Sequence, residues 1–565
     1  MKKYILLFYF IYTLVNSQNF KICGGHDFSA VVCNNKNIYT WGSNLYGQMG
    51  CNLQGQPYTD SFYNLPKVVG TLPSINKITL GHSNHILAID TFGYVWSWGL
   101  NDYGQLGRGT IGGYSSQPKK ILRGSQSKIV DKLNDPSGIY LHNILSITSG
   151  VNYSFAIEKG TGKVLAWGKN NAGQLGDSSG SNINKSTPVY VKTNQNTYLT
   201  DIIQIEAGEV STYALDINGN VWSWGSQWLG RQNTGLASRV ISNPNHLDNM
   251  ISYSGTNYLS NITQISAGVN HCLAIDKDGK VWSWGGDWAP GQLGQGNGYQ
   301  SFNNAGLVVD VGISSTTGPW LGTGIDGKAI QLAASQASSA ILMENGKVVT
   351  FGANGLYTSY EVKLPSGSYL CGSNGGVSQS GTLGTGICNP TTNCVNPNLS
   401  GNGYEYPNYV NINSDATTHL SNITEISEGD AWFYAINNSG QIYTWGYNKR
   451  GELGLGDYTD KCYPTILDLP SSCKLDLSVV TNNKDMEENN EILITPNPNR
   501  GNFVITGLNN KKFDVIISSS LGQFVYKTQL FSELCEINLK ELASGIYFLT
   551  LKNDKEILIK RIIVE

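Results

Sequence analysis

An aromatic residue followed by glycine recurs seven times along the chain: Trp41-Gly42, Trp98-Gly99, Trp167-Gly168, Trp224-Gly225, Trp284-Gly285, Phe351-Gly352 and Trp445-Gly446. The intervals are 57, 69, 57, 60, 67 and 94 residues. Five residues before the aromatic stands a glycine in six copies (Gly93, Gly162, Gly219, Gly279, Gly346 and Gly440); the first copy has Lys36 instead. Two residues before it stand Tyr39, Trp96, Leu165, Trp222, Trp282, Val349 and Tyr443. Residues two apart point to one face of a strand, so the spacing predicts that each pair of large side chains is buried together. The glycine falls in a short turn, as in Asp276-Lys277-Asp278-Gly279, where positive φ is easy for glycine.

Further strands flank this pair. Ile262-Thr263-Gln264-Ile265 and Cys272-Leu273-Ala274-Ile275 precede it, and Pro-led stretches such as Pro66-Lys67-Val68-Val69, Pro188-Val189-Tyr190-Val191 and Pro464-Thr465-Ile466-Leu467 follow. Four antiparallel strands make one small sheet that cannot bury both faces alone, but seven such sheets stacked round an axis can. The predicted fold is all-β, a seven-bladed β-propeller. Five copies close on Gly47-Gln48-Met49-Gly50, Gly104-Gln105-Leu106-Gly107, Gly173-Gln174-Leu175-Gly176, Gly291-Gln292-Leu293-Gly294 and Gly451-Glu452-Leu453-Gly454. Copies four and six read as lacking that motif, and copy six carries an insertion near 353–406, which belongs in a surface loop.

The ends differ from the middle. Lys2-Lys3, the apolar stretch Tyr4 to Val15 and then Asn16-Ser17 have the form of a signal peptide over 1–17, too short to span a bilayer. No other segment reads as transmembrane. After a polar linker at 474–490, residues 491–565 hold short alternating runs such as Phe513-Asp514-Val515-Ile516-Ile517, separated by turns, and predict a small C-terminal β-sandwich. The propeller is placed at 18–473. Ten cysteines suit an oxidising compartment. Cys462 and Cys473 could close a local loop, while Cys23, Cys33, Cys272 and Cys535 could equally be free buried thiols.

Charge and motifs exclude several functions. With 38 Lys+Arg against 41 Asp+Glu the net charge is −3, which argues against nucleic-acid binding driven by bulk basicity. The seven histidines show no metal-ligand or triad spacing, so no metal, cofactor or catalytic residue is assigned. His85 and His271 occupy equivalent places in copies two and five and read as packing or strand hydrogen bonds. Gly322-Thr323-Gly324-Ile325-Asp326-Gly327 matches a nucleotide-loop pattern but lacks the strand-turn-helix around it. Four aromatic residues remain as partner-binding candidates: Tyr46, Tyr103, Trp228 and Trp288, each just past a copy's aromatic-Gly pair. Loops at one offset emerge on one face, and exposed Trp and Tyr dominate binding energetics; the alternative is packing between blades.

The full unit, from Ile265-Ser266-Ala267-Gly268 through Trp282-Ser283-Trp284-Gly285 to Gly291-Gln292-Leu293-Gly294, resembles the RCC1 (regulator of chromosome condensation) repeat over roughly 20–470. The resemblance implies a seven-bladed propeller of functionally mixed kind. The family's nuclear founder is an exchange factor for a small GTPase, and a secreted bacterial relative inhibits β-lactamases through its loop face. The C-terminal segment resembles the type A sorting domain of the type IX secretion system of Bacteroidetes-type bacteria. Pro496, Asn497, Pro498, Gly501, Gly522, Gly545 and Tyr547 carry that likeness, with the basic-apolar ending Lys560 to Val564. It implies contact with secretion machinery and a protein released from, or held on, the outer surface of a Gram-negative cell. The expected function is an exported, non-enzymatic binding or adhesion scaffold for an extracellular protein or glycan. An extracellular enzyme acting on glycans or peptides is the alternative, and guanine-nucleotide exchange the least expected.

Overall fold

Each copy of the repeat folds into a four-stranded antiparallel sheet, and there are seven. The computed structural model describes residues 22–473 except 51–61, 71, 125–136, 180–181, 226–237, 241–257, 287–290, 296–301, 309–326, most of 355–402 and 414–417, together with strands between 493 and 564. In the first blade the strands run from the inner Ile22–Gly24 through Phe28–Val32 and Ile38–Ser43 to the outer Phe62–Val68. The second has Ile75–Leu80, His85–Asp90, Val95–Leu100 and Tyr114–Lys120. The seventh has Ile423–Glu428, Trp432–Asn437, Ile442–Gly446 and Lys461–Leu467. Within every blade the strands pair in chain order, so no blade borrows a strand from another. Antiparallel order puts the connections after the first and third strands on one face, here the upper. The hairpin turns and the blade-to-blade connections lie on the lower.

The pairs Tyr39 with Trp41, Leu165 with Trp167 and Val349 with Phe351 are buried together as the spacing predicts, but the other four are not. Trp41, Trp98, Trp167, Trp284 and Trp445 are fully buried and Trp224 is 2% exposed, whereas Trp96, Trp222 and Trp282 are only half-buried. The outer tryptophans have a polar task. Asp276 accepts the backbone N–H of Asp278 and Lys280 through one oxygen and the Trp282 indole N–H, at 3.0 Å, through the other. Asp90 with Trp96 and Asp216 with Trp222 repeat this. Asp276-Lys277-Asp278-Gly279 is thus a hairpin turn braced by its own carboxylate, with Gly279 at φ 82°.

The buried tryptophans join one blade to the next. The indole N–H donates to the backbone carbonyl of the Gln in the preceding blade's closing motif: Trp98 to Gln48 at 2.9 Å, Trp167 to Gln105 at 2.8 Å, Trp224 to Gln174 at 2.8 Å. Trp41 reaches Glu452 in the same way, from the first blade back to the seventh. Copy six does not lack the motif. Thr382-Leu383-Gly384 stands in its place, Trp445 donating to the Thr382 carbonyl at 3.0 Å and the Leu383 N–H reaching Asn354 at 3.1 Å. The insertion had moved it some thirty residues downstream of Phe351-Gly352, out of the usual spacing. Copy four's corresponding segment lies outside the described residues. Among the described residues Trp284 makes no such bond. Its indole meets the Tyr213 ring edge-on at 5.6 Å, and the adjacent Tyr213 hydroxyl lacks hydrogen-bond geometry.

The ring closes through side chains and a disulfide. Cys33 of the first blade is bonded to Cys473 just past the seventh, across 440 residues of chain. That replaces the local Cys462–Cys473 loop of the sequence reading; Cys462 is disulfide-bonded as well, and Cys23 and Cys272 are free and buried. Around the bridge, Ile22, Val31, Tyr39 and Trp41 pack against Trp432, Tyr434 and Ile436 in one core. Asn35 donates to the Ser472 carbonyl at 2.9 Å, and Tyr39 and Ser472 hydroxyls bond at 2.6 Å.

The chain divides into two compact units, the seven sheets in one and the C-terminal strands in the other. The second unit has a three-stranded sheet (Leu493–Thr495, Asn502–Thr506, Leu534–Asn538) and a four-stranded sheet ordered Phe524–Leu530, Phe513–Ser519, Gly545–Lys552, Ile557–Val564. Alternate residues Val515 and Ile517, and Leu549 and Leu551, are buried, which is the period of a half-covered sheet.

Candidate functional site

The upper face is built from the turns after the inner strands, which crowd the axis, and from the longer loops after the third strands, which surround them. The turns are held to one another by backbone bonds: Val151 N–H to Gly208, Glu209 N–H to Val269 and Gln336 N–H to Asp430. Glycine is required where they converge. A Cβ on Gly81 would lie 2.0 Å from the Ser149 carbonyl oxygen, and one on Gly268 2.1 Å from that of Ser335. Below them a narrow cavity of about 90 Å³ runs along the axis, lined by inner-strand residues including Cys23, Lys77, Thr148, Gln204, Glu206 and Glu428.

At the mouth of that cavity, charged groups of the second, first and seventh blades meet. His82 Nδ1 lies 2.6 Å from an Asp430 oxygen. Burial disfavours a charged ring there, but the bond to Asp430 and its charge, with the Ala267 backbone on the other side, outweigh it and raise the His82 pKa. His26 contacts Asp27 at 2.7 Å and lies 3.9 Å from Asp430, while Arg450 pairs with Asp27. Against a desolvation penalty, Asp27 lifts His26 to about 9, and His26 and Arg450 hold Asp27 down to about 2. Deeper in, burial raises Glu206 to about 7 and Glu428 to about 8, and lowers Lys77 to about 8. Sequence reasoning missed this cluster because His26, Asp27 and His82 lie near one end of the ring's sequence and Asp430 and Arg450 near the other, His82 and Asp430 being 348 residues apart. The only signal was the His or Asp after the inner-strand glycine, at His26, His82 and Asp430.

His85 and His271 are brace residues. Their Nε2 atoms lie 2.9 Å and 2.8 Å from the hydroxyls of Ser154 and Ser339 in the next blade, and those hydroxyls donate onward to the Gln105 and Gln292 carbonyls. Burial pushes both histidines down to about 3, so each is a neutral donor. Packing or a strand hydrogen bond is the expectation at these positions; each ring is buried and bonds through its side chain to the neighbouring blade.

Of the four aromatic candidates, Tyr46 and Tyr103 lie on the upper face and are half-buried. Their backbone N–H groups are held by Gln48 and Gln105, and Lys169 of the third blade lies 5.3 Å from the Tyr103 ring. The two rings sit at equivalent places in adjacent blades and are not in one cluster. Trp228 and Trp288 lie outside the described residues, as do Pro496, Asn497, Pro498, Gly501 and Gly522 and most of the 322–327 glycine pattern. Gly545 and Tyr547 begin a strand of the C-terminal unit, opposite Val564 and Ile562. Among the described residues no group of three or more His, Cys, Asp or Glu is arranged to hold a metal ion.

Family models match both parts of the chain. The regulator of chromosome condensation (RCC1) repeat matches at 93–157, 161–215 and 439–480, with a second model of that repeat at 75–105 and 262–287. A secretion system C-terminal sorting domain matches at 493–565. The chain carries RCC1 repeats and a type IX sorting domain.

Protein pim1 of Schizosaccharomyces pombe (strain 972 / ATCC 24843) is 30% identical over 284 residues, 47% of this chain and 46% of pim1. The human E3 ubiquitin-protein ligase HERC2 is 28% identical over 308 residues, 53% of this chain and 6% of HERC2. The chain therefore spans about half the length of the first of these and a small part of the second. Yeast RCC1 (Prp20), solved bound to Kap60, superposes with a TM-score of 0.53 at 20% identity, over 80% of this chain and 86% of that one, which establishes the RCC1-like fold. The sorting domain marks a secreted or cell-surface protein of Bacteroidetes-type bacteria. No helix among the described residues is long and apolar enough to cross a membrane.

Proposed function

We propose that this exported RCC1-repeat propeller is a non-enzymatic binding scaffold that engages an extracellular protein or glycan through the loops of its upper face. The observation that carries this reading is variable loops on a constant frame. The indole-to-carbonyl joint is formed by the tryptophans of five blades, while the connection after the third strand runs from 12 residues in the fourth blade, 226–237, to 49 in the sixth, 354–402. Loops free to vary on a rigid support are where propellers and other scaffolds place recognition. A leader at 1–17, a propeller at 18–473, a linker at 474–490 and a sorting domain at 491–565 complete the proposal. The mouth cluster fits it as a brace, since its charges are spent on one another.

Tyr46, Tyr103, Trp228 and Trp288 are the proposed contact residues. Truncating them in pairs to Ala (Tyr46 with Tyr103, Trp228 with Trp288) and capturing ligands from culture partners or a glycan array tests the assignment. Lost capture with an unchanged melting temperature supports it. Full capture by both pairs, or a large fall in melting temperature, assigns the rings to packing instead.

A further inference from the structure

The charge of the disc is unevenly placed. Residues 114–200, from the outer strand of the second blade through the connection leaving the third, hold ten Lys+Arg and four Asp+Glu, a net of +6 in a chain of net −3. The seventh blade, 423–473, holds three against seven, a net of −4. On the lower face of the second and third blades this charge is set among aromatic rings. Lys120 Nζ lies 3.6 Å from the centre of the Tyr94 ring, 5.5 Å from Tyr140 and 5.8 Å from Trp96. In the next blade Lys163 Nζ lies 5.4 Å from Tyr198 and 5.5 Å from Tyr190. Among the described residues neither lysine forms a salt bridge. The carboxylates beside them point to neutral donors, Asp90 accepting from the Trp96 indole and Glu158 from the Tyr190 hydroxyl at 2.6 Å, and keep their own charge.

We infer that this lower face of the second and third blades binds an anionic polysaccharide, a surface distinct from the upper-face loops of the proposed function and going beyond that reading. Ring quadrupoles fix the two ammonium groups without cancelling their charge, so the charge stays available to carboxylate or sulfate groups on a sugar chain. Exposed flat and apolar groups adjoin them: Phe92 is 66% exposed, Ile139 47% and Tyr198 38%. The patch is continuous, because Lys159 N–H bonds to Asn143 at 2.9 Å and Asn143 abuts Gly93 of the second blade's hairpin. Such surfaces pack on the C–H faces of sugar rings while the lysines take the charge. A nucleic acid, with a charge every ~1.7 Å of duplex, needs a broad basic surface for counterion release, and the acidic seventh blade works against one. A sparsely charged sugar chain needs only the lysine positions on these two blades.

The test is binding of the full chain to immobilised polygalacturonate, with dextran and single-stranded DNA as other probes, at 50 and 300 mM salt. The inference expects polygalacturonate binding that weakens at least tenfold at the higher salt, none to dextran, and DNA binding weaker than to polygalacturonate. K120E/K163E should weaken it at least tenfold at an unchanged melting temperature, and Y46A/Y103A should leave it unchanged. If K120E/K163E melts early, K120Q/K163Q carries the comparison. No binding to polygalacturonate at 50 mM salt, full binding by the folded lysine variant, or tighter binding to DNA would each overturn the inference, and none of these results bears on the upper-face loops.

Discussion

Trp98 and Trp284 occupy the same place in the second and fifth blades, both fully buried, and differ in one hydrogen bond. Trp98 donates to the Gln48 carbonyl at 2.9 Å, while among the described residues the Trp284 N–H finds no acceptor of good geometry. Replacing either with Phe removes the same volume, so the packing loss is shared and cancels in the comparison. Trp98→Phe additionally loses a bond worth about 1 kcal/mol and strands a buried carbonyl, which together cost about 1–3 kcal/mol. Trp284→Phe instead removes an unsatisfied donor. Phe351 already stands at this place in the sixth blade, so the frame accepts the ring. The two variants should differ by about 2 kcal/mol. With an unfolding entropy of about 2.1 cal/mol/K per residue over some 450 residues, that is a difference of about 2 °C in melting temperature, within reach of replicate calorimetry or scanning fluorimetry. Equal melting temperatures, or a lower one for Trp284→Phe, would refute the view that the indole-to-carbonyl bond joins the blades.

Other parts of the frame make their own predictions. The double variant C33S/C473S releases a loop of 440 residues; chain entropy puts the loss at ~6 kcal/mol, and measured disulfides more often give about 2–4, so the melting temperature should fall by a few degrees, and an unchanged value would show that the seam is held without the bridge. Stability should decline as pH rises from about 6.5 to 8, because His26 and His82 are raised above the ordinary histidine range and lose their contribution above about 6.5, His26 through about 9, while Glu206 and Glu428, raised by burial to about 7 and 8, keep losing the advantage of folding protonated; below about 6.5 His85 and His271, pushed down to about 3, work in the opposite direction. A flat or rising melting temperature over that range would contradict the axial cluster. Mass spectrometry of the extracellular protein should find a C-terminus before residue 491, and an intact tail would contradict removal of the sorting domain.

The frame was legible because it repeats. An aromatic-Gly pair stands in all seven copies, the hairpin glycine in six and the closing motif in five at regular spacing, so the spacing yields both the strand order and the number of blades. What departed from the spacing was misread: Thr382-Leu383-Gly384 performs the closing motif's role, but the preceding insertion hid it. Period-two logic predicts that Trp96, Trp222 and Trp282 are buried with their partners, and they are only half-buried because an aspartate across the hairpin holds each indole N–H near solvent. The seam was invisible for a different reason. Nothing in the sequence joins Cys33 to Cys473, or His82 to Asp430, until the ring brings the first and last blades together. Charge told a similar story: the total of −3 conceals the +6 of residues 114–200.

On the proposed function the exported disc holds a partner rather than transforming it. The direct measurement is to incubate the extracellular protein with a ligand it captures, then weigh both by mass spectrometry over time. A saturable complex is expected, from which the ligand is recovered with its mass unchanged. Ligand consumed in excess over protein, with a product of altered mass, would contradict it.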